Sequence, residues 1–222
     1  MTKRAFKLHQ QMPMQLPLQA PLQTHLQTQD ALLIVDVQND FLPGGRLAVP
    51  QGDAVIPVLN HTIDLFAGHA LPIYASRDWH PPDHCSFQTH GGPWPVHCVA
   101  GSHGADFPAA LALPRSASIL SKATAAQEEA YSAFAGTDLA SQLHAQGITR
   151  LFIGGLATDY CVRRSVEDAL SLGFTVLLVQ DAIRAVELHP GDGKAALDAM
   201  LEQGAGLVQW RDIDPSRMEG PD

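Results

Sequence analysis

The chain has 222 residues, enough for one sizeable domain core and too few for two full domains. Its formal net charge of −9 argues against a nucleic-acid or anionic-membrane partner and favours a small, neutral or cationic ligand. No apolar run reaches the roughly 18 residues of a membrane span, and three cysteines are too few for a disulfide framework. We therefore expect a protein of a reducing compartment, located in the cytoplasm.

The N-terminal segment, residues 1–29, is dominated by Gln, Pro, Leu and Met. Because it lacks the continuous apolar core of a signal peptide, we predict a disordered extension outside the folded domain. An alternative is that the natural start is Met12 or Met14. The domain is expected to cover residues 30–213, with residues 214–222 as a tail.

From residue 30 onward, apolar runs typical of buried strands alternate with segments of helical apolar spacing. The predicted strands cover residues 31–37, 71–76, 118–121, 150–153, 174–179 and 206–210. The predicted helices begin near Asp53 as an N-cap, at Thr137 or Asp138, at Asp159 and at Gly193. This alternation predicts an α/β fold, with a doubly wound, mainly parallel sheet of about six strands between layers of helices.

Chemically active side chains follow the carboxyl ends of four predicted strands. Asp36 ends the first, Asp78 and His80 follow the second, Lys122 follows the third, and Cys161 comes after the fourth. Ligands of parallel α/β sheets bind beyond these ends, so the side chains are expected to share one cleft. Asp36 lies in an otherwise apolar strand, where an ionised carboxylate is costly unless it is paired, and Lys122 is the natural partner.

Cys161 is the candidate nucleophile. It follows a glycine-containing turn and is predicted in the first turn of a helix, where unpaired N–H groups favour a thiolate. The N–H groups around Ala157 and Cys161 would converge as an oxyanion hole. With Asp36 to accept the thiol proton and Lys122 to favour both anions, the site suits covalent attack on an acyl carbon. The alternative is a structural ion pair beside a buried, inert cysteine.

A second cluster has the composition of a metal site. Asp78 and His80 are two residues apart, so both side chains point the same way along an extended backbone, and His97 lies across the same long loop. One carboxylate and two imidazoles suit zinc, iron or manganese with coordination positions left open. His84 is either a fourth ligand, a group behind the ligands or a surface residue.

Four segments of the chain match one family in order. They are VDVQNDF at 35–41, RDWHP at 77–81, WPVHC at 94–98 and GLATDYC at 155–161. Together they closely resemble nicotinamidases (pyrazinamidases) of the isochorismatase-like cysteine hydrolases, over about residues 31–210. The resemblance implies the isochorismatase-like, Rossmann-like version of the predicted fold.

The resemblance also implies an activity in NAD salvage. Cys161 would attack the carboxamide carbon of nicotinamide, Asp36 would move the thiol proton to the departing ammonia, and Lys122 would hold the charge of that pair. Water would then release nicotinate from the thioester. Pyrazinamide is an expected second substrate, and a homo-oligomer is left open.

The remaining site residues follow from the same resemblance. Asp78, His80 and His97 would hold one divalent metal, with zinc favoured over iron or manganese, whose open position takes the pyridine nitrogen. The ring would lie between Phe41 and Trp94. In addition, Tyr131 and Leu156 would border the pocket, and the Leu156–Ala157 peptide bond is expected to be cis, which aims the Ala157 N–H at the oxyanion.

Two other functions compete with this interpretation. One is a related cysteine hydrolase acting on a carbamoyl or ureido compound, or an isochorismatase-type enzyme. The predicted metal cluster discriminates against these relatives. The other is a metal-stabilised binding protein without turnover, which leaves Asp36, Lys122 and Cys161 at three separate strand ends unexplained.

Overall fold

A computed structural model of the chain describes residues 24–213. Its strands are β1 (Asp30–Val35), β2 (Ile73–Asp78), β3 (Ser118–Lys122), β4 (Arg150–Leu156), β5 (Thr175–Arg184) and β6 (Gly206–Val208). Its α-helices in that part of the chain are α1 (Val55–Gly68), α2 (Leu139–Ala145), α3 (Arg163–Ser171) and α4 (Asp192–Glu202). None of the helices in residues 24–213 combines the length and apolar character that crossing a membrane requires.

The strands form one sheet in the order β3-β2-β1-β4-β5-β6, and every neighbouring pair is parallel. The chain therefore builds one half of the sheet outward from β1 and the other half outward from β4. The direction of winding reverses between these two strands, which is where open α/β sheets bind ligands. The predicted fold class is confirmed.

The core lies on both faces of this sheet. Leu32 and Ile34 of β1 pack on the face that α1 covers, whereas Leu33 and Val35 pack on the face of α2, α3 and α4. All six residues of β1 are buried. This explains the continuous apolar run, because a strand between two helix layers has no solvent face to carry polar residues.

Two local predictions are wrong. Asp53 does not cap α1, because the short turn Gly52–Ala54 runs directly into the helix and its carbonyls already accept the first N–H group. Residues 24–29, predicted as part of the disordered extension, are held against the domain. Leu26 packs on the core, and Gln29 O accepts N–H groups from residues 149 and 150. The predictions of disorder for residues 1–23 and of a tail at residues 214–222 concern segments that lie outside the described residues.

A buried ion pair ties β1 to β4 at the end opposite the predicted site. Arg150 Nε donates to Asp30 Oδ1 at 2.7 Å and Arg150 Nη2 donates to Oδ2 at 2.6 Å. Asp30 is fully buried. Such a pair contributes to stability mainly because each charge compensates the other, which would otherwise be buried without a partner.

We expect Arg150→Met to lower the free energy of unfolding by about 3–5 kcal/mol, because it leaves the Asp30 carboxylate buried without its cation. Urea unfolding followed by circular dichroism measures the loss. The double variant Asp30→Leu/Arg150→Met should recover much of it, since no buried charge is left unpaired. A loss below about 1 kcal/mol in Arg150→Met would contradict the assignment.

Candidate active site

The strand ends bring the predicted side chains to one place. Asp36 follows β1 directly, and its N–H donates to Ser76 O on β2 at 3.1 Å. Asp78 ends β2 and Lys122 ends β3, and the two are paired in register across the sheet. Cys161 lies beyond β4, the other neighbour of β1. The parallel sheet therefore gathers side chains that are separated by up to 125 positions in the sequence.

A glycine allows the two central strands to meet beside Asp36. Gly155 has φ +124°, and a Cβ atom built there would lie 2.1 Å from Val35 O. A larger residue would force β4 away from β1 at the point where both strands end. The glycine therefore sets the distance between the backbone that carries Asp36 and the backbone that leads to Cys161.

Cys161 lies in a wide, π-type turn, Thr158–Val162, that precedes α3. The predicted helix over residues 159–172 is therefore shorter, and the cysteine precedes its first regular turn. The Leu156–Ala157 bond that leads into this turn is cis, as the resemblance implied. π-type turns are frequent at functional sites.

The Lys122 ammonium is the centre of the cluster and is buried. Nζ lies 2.5 Å from Asp78 Oδ1, 2.9 Å from Asp36 Oδ2 and 3.5 Å from Cys161 Sγ, and it also donates to Ala130 O at 3.0 Å. Asp36, Asp78 and Cys161 offer ligand atoms close enough for a metal ion. Since the ammonium already lies among them, that position is filled by a cation of the chain itself.

Burial governs the protonation of this cluster. It raises the pKa of the Cys161 thiol well above the usual value, Lys122 opposes the increase, and Asp36 adds to it. Burial therefore opposes the effect expected from the helix terminus and favours the protonated thiol, which needs a base such as Asp36. Burial also raises the pKa of Asp36 against the effect of Lys122, which makes this carboxylate a stronger base. For Lys122, burial acts to lower the pKa, but Asp36 and Asp78 outweigh it and raise it.

Asp78, His80 and His97 form a buried group whose ligand atoms lie within 4.8 Å of one another. Neither ring nitrogen of His80 has a hydrogen-bond partner, which is costly in a buried imidazole unless another group binds it. His97 Nδ1 is paired with Pro95 O at 2.8 Å, which leaves Nε2 for a ligand role. Burial lowers the pKa of His97 and so favours the neutral ring that a metal requires. These residues fit a divalent metal.

His84 lies behind this group. Its Nδ1 is hydrogen-bonded to Ser86 Oγ at 2.7 Å and its Nε2 to Glu128 O at 3.0 Å. Its ring packs 4.2 Å from the ring of His80, measured between centroids. Both nitrogens therefore have protein partners, so that a bond from His84 to a metal would replace one of these hydrogen bonds. Spacing in the sequence could not separate this arrangement from ligation.

A cavity opens above Cys161 and is bordered by every pocket residue named from the sequence. Trp94 Nε1 donates to the Tyr131 hydroxyl at 3.0 Å. Burial raises the pKa of Tyr131 to about 12, so the phenol stays neutral. Among the described residues that line the cavity there is no lysine or arginine, whereas Asp78 and Glu129 contribute carboxylates.

Sequence reasoning missed several residues of this cavity. Tyr160 packs against Trp94 with ring centroids 5.0 Å apart, and its position beside Cys161 was a usable signal. Val186 comes from the loop after β5, and Leu47 and Val49 come from the loop after Phe41. These three carried no signal, because an apolar residue in a loop is not distinguished in sequence from any other.

Fold and site together define a parallel α/β protein with a buried cysteine, aspartate and lysine beside a cluster suited to a metal. The chain belongs to the isochorismatase domain family, whose match covers residues 30–212. It is 38% identical over 208 residues to the nicotinamidase of Escherichia coli (strain K12), covering 84% of this chain and 98% of that protein.

Two solved structures have the same fold. The pyrazinamidase of Pyrococcus horikoshii in complex with zinc is 48% identical, with a TM-score of 0.79, covering 82% of this chain and 99% of that chain. PnC1 from L. infantum in complex with nicotinate is 38% identical, with a TM-score of 0.78, covering 85% of this chain and 96% of that chain.

We expect the purified protein, stripped with a chelator and then given zinc, to take up about one metal ion per chain. His80→Ala and His97→Ala should each lower this stoichiometry severalfold, because each removes a ligand from a three-residue set. Elemental analysis after gel filtration measures it. His90→Ala, an exposed residue of the same loop, is the matched control. Full zinc content in both ligand variants would contradict the assignment.

Proposed function

We propose that this protein hydrolyses nicotinamide to nicotinate and ammonia, a step of NAD salvage, and that it also accepts pyrazinamide. The observation that carries the proposal is the position of Cys161, which lines a largely apolar, aromatic cavity and contacts Lys122, which in turn contacts Asp36. The similarity to proteins named nicotinamidase and pyrazinamidase supports the choice of substrate.

The reaction begins with a neutral thiol. Asp36, whose carboxylate contacts the same Lys122 ammonium as Cys161 Sγ, takes the thiol proton as the sulfur attacks the carboxamide carbon. The N–H groups of Ala157 and Cys161 hold the resulting oxyanion. When the C–N bond breaks, Asp36 gives its proton to the nitrogen, so that ammonia leaves and a thioester remains.

Water completes the cycle. Asp36, now ionised again, takes a proton from water as its oxygen attacks the thioester carbon. The C–S bond then breaks, nicotinate forms, and the sulfur recovers the proton from Asp36. Lys122 keeps its charge throughout and stabilises the negative charge on either Asp36 or the sulfur, since Nζ contacts both groups.

Asp78, His80 and His97 would hold the metal, and zinc is favoured by the mixed nitrogen and oxygen donor set and by the zinc complex of the P. horikoshii relative. When bound, the metal supplies a coordination position for the pyridine nitrogen. Because Asp78 Oδ1 accepts from Lys122, the same carboxylate links the metal cluster to the catalytic one.

The cavity lining favours a neutral aromatic amide. The proposed ring site lies between Phe41 and Trp94, with Tyr131 and Leu156 at its border. Apart from the proposed metal, a carboxylate of a substrate would need a cationic side chain as its partner, and the described lining residues include no lysine or arginine.

We expect Cys161→Ala to lower kcat by at least about 10⁴-fold, because no other described group can form the thioester. Ammonia release from nicotinamide measures the rate. Cys85→Ala is the matched control, since Cys85 does not line the cavity, and it should keep most of the activity. If Cys161→Ala kept more than about a hundredth of the wild-type rate, covalent catalysis by this residue would be wrong.

Asp36 and Lys122 act on the pKa of Cys161 in opposite directions, so their removal should have opposite effects on the thiol. Asp36→Asn removes a negative neighbour, which lowers the thiol pKa and should speed alkylation by iodoacetamide about tenfold at pH 8. Lys122→Met removes the positive neighbour, which raises the thiol pKa and should slow alkylation by a similar factor.

Mass spectrometry of the peptide that contains Cys161 gives both rates without interference from Cys85 or Cys98. Both variants should lose nearly all hydrolysis of nicotinamide, so activity alone does not separate the two roles. A change of the alkylation rate in the same direction in both variants would refute the assigned charges.

A further inference from the structure

Asp159 joins the turn that carries Cys161 to the loop that follows β5. Its Oδ1 accepts the N–H of Val186 at 2.9 Å, and its Oδ2 accepts the N–H of Glu187 at 3.0 Å. Both carboxylate oxygens therefore hold backbone of a segment 27 and 28 residues further along the chain. Neither bond is used in the reaction described above.

The segment that Asp159 holds is a wall of the active-site cavity. β5 pairs with β4 as far as Arg184, which lies opposite Leu156, and the ladder ends there. Two residues later Val186 lines the cavity beside Leu156 and Ala157. Because Val186 lies beyond the last strand pair, contacts other than strand pairing must hold this part of the wall in position.

The far side of the same segment is fixed separately. Glu187 has φ +56°, and its carboxylate accepts N–H groups from Gly191 and Gly193 at the start of α4. The loop is thus attached to α4 by Glu187 and to the nucleophile turn by Asp159. Among the hydrogen bonds within residues 24–213, those of Asp159 connect the wall directly to the turn that contains Cys161.

We infer that Asp159 is a positioning residue that sets the distance between the Val186 wall and Cys161, and thereby the fit of the aromatic substrate. The inference rests on the proposed function for its choice of substrate. The turn itself has other support, because Ala157 O accepts the N–H groups of Tyr160 and Val162. Loss of the carboxylate should therefore loosen the wall and leave the nucleophile in place.

Such a change separates binding from chemistry. If the wall no longer confines the ring, the enzyme binds the substrate and the transition state less tightly by similar amounts. This raises KM and leaves kcat nearly unchanged. A purely structural role would lower the melting temperature without this split. Two variants should change KM to different degrees, because Asp159→Ala removes both carboxylate acceptors whereas Asp159→Asn keeps one acceptor oxygen.

The experiment measures KM and kcat for nicotinamide at a temperature well below the melting transition of each variant. We expect Asp159→Ala to raise KM about tenfold with kcat within about threefold of wild type, and Asp159→Asn to lie between the two. Asp181→Ala is the matched control. Asp181 also accepts a backbone N–H, from Trp210 at 3.2 Å, but it does not line the cavity.

A second readout does not depend on the substrate. The rates at which N-phenylmaleimide and iodoacetamide modify Cys161 compare a bulky reagent with a small one, and a looser wall should raise their ratio severalfold in Asp159→Ala. If the wild type fails to hydrolyse nicotinamide, the proposed function is wrong and this ratio alone decides the inference. The inference is overturned if a folded Asp159 variant changes neither readout by more than twofold, or if Asp181→Ala changes them equally.

Discussion

The burial of one ammonium group among two carboxylates and a thiol is the constraint on which this structure depends. Removing Lys122, Asp36 and Asp78 from water costs several kcal/mol per ion, and only their short mutual contacts offset that cost. The same desolvation raises the pKa of Cys161 well above its usual value, which favours the protonated thiol. In the proposed mechanism Asp36 takes this proton as a base, and a free thiolate is not needed.

The parallel arrangement of the sheet brings the residues of this cluster together. Parallel pairing puts the ends of β1, β2, β3 and β4 on one edge, and Gly155 permits the contact between the two central strands. The ion pair between Asp30 and Arg150 joins the opposite ends of the same two strands. Charged groups at both ends of β1 are tolerated because each has its counter-charge within hydrogen-bond distance.

Asp78 and the turn at Cys161 connect the catalytic cluster to its surroundings. Asp78 contributes one oxygen to Lys122 and has the other near His80, so the proposed metal and the proposed base share one electrostatic environment. Asp159 ties the cysteine turn to the Val186 wall. The residue inferred to control substrate fit and the proposed nucleophile therefore lie two positions apart in one short motif.

The sequence by itself predicted the α/β class, the strand ends and the two groups of candidate residues that the structure brings together, which are Asp36, Lys122 and Cys161 and the proposed metal ligands Asp78, His80 and His97. These follow from local signals, since buried parallel strands have continuous apolar runs and reactive residue types stand out against them. Tertiary structure decided the remainder. The burial that raises the pKa of Cys161, the hydrogen bonds of both His84 nitrogens and the Val186 wall arise from long-range packing and contacts, which have no local pattern in the chain.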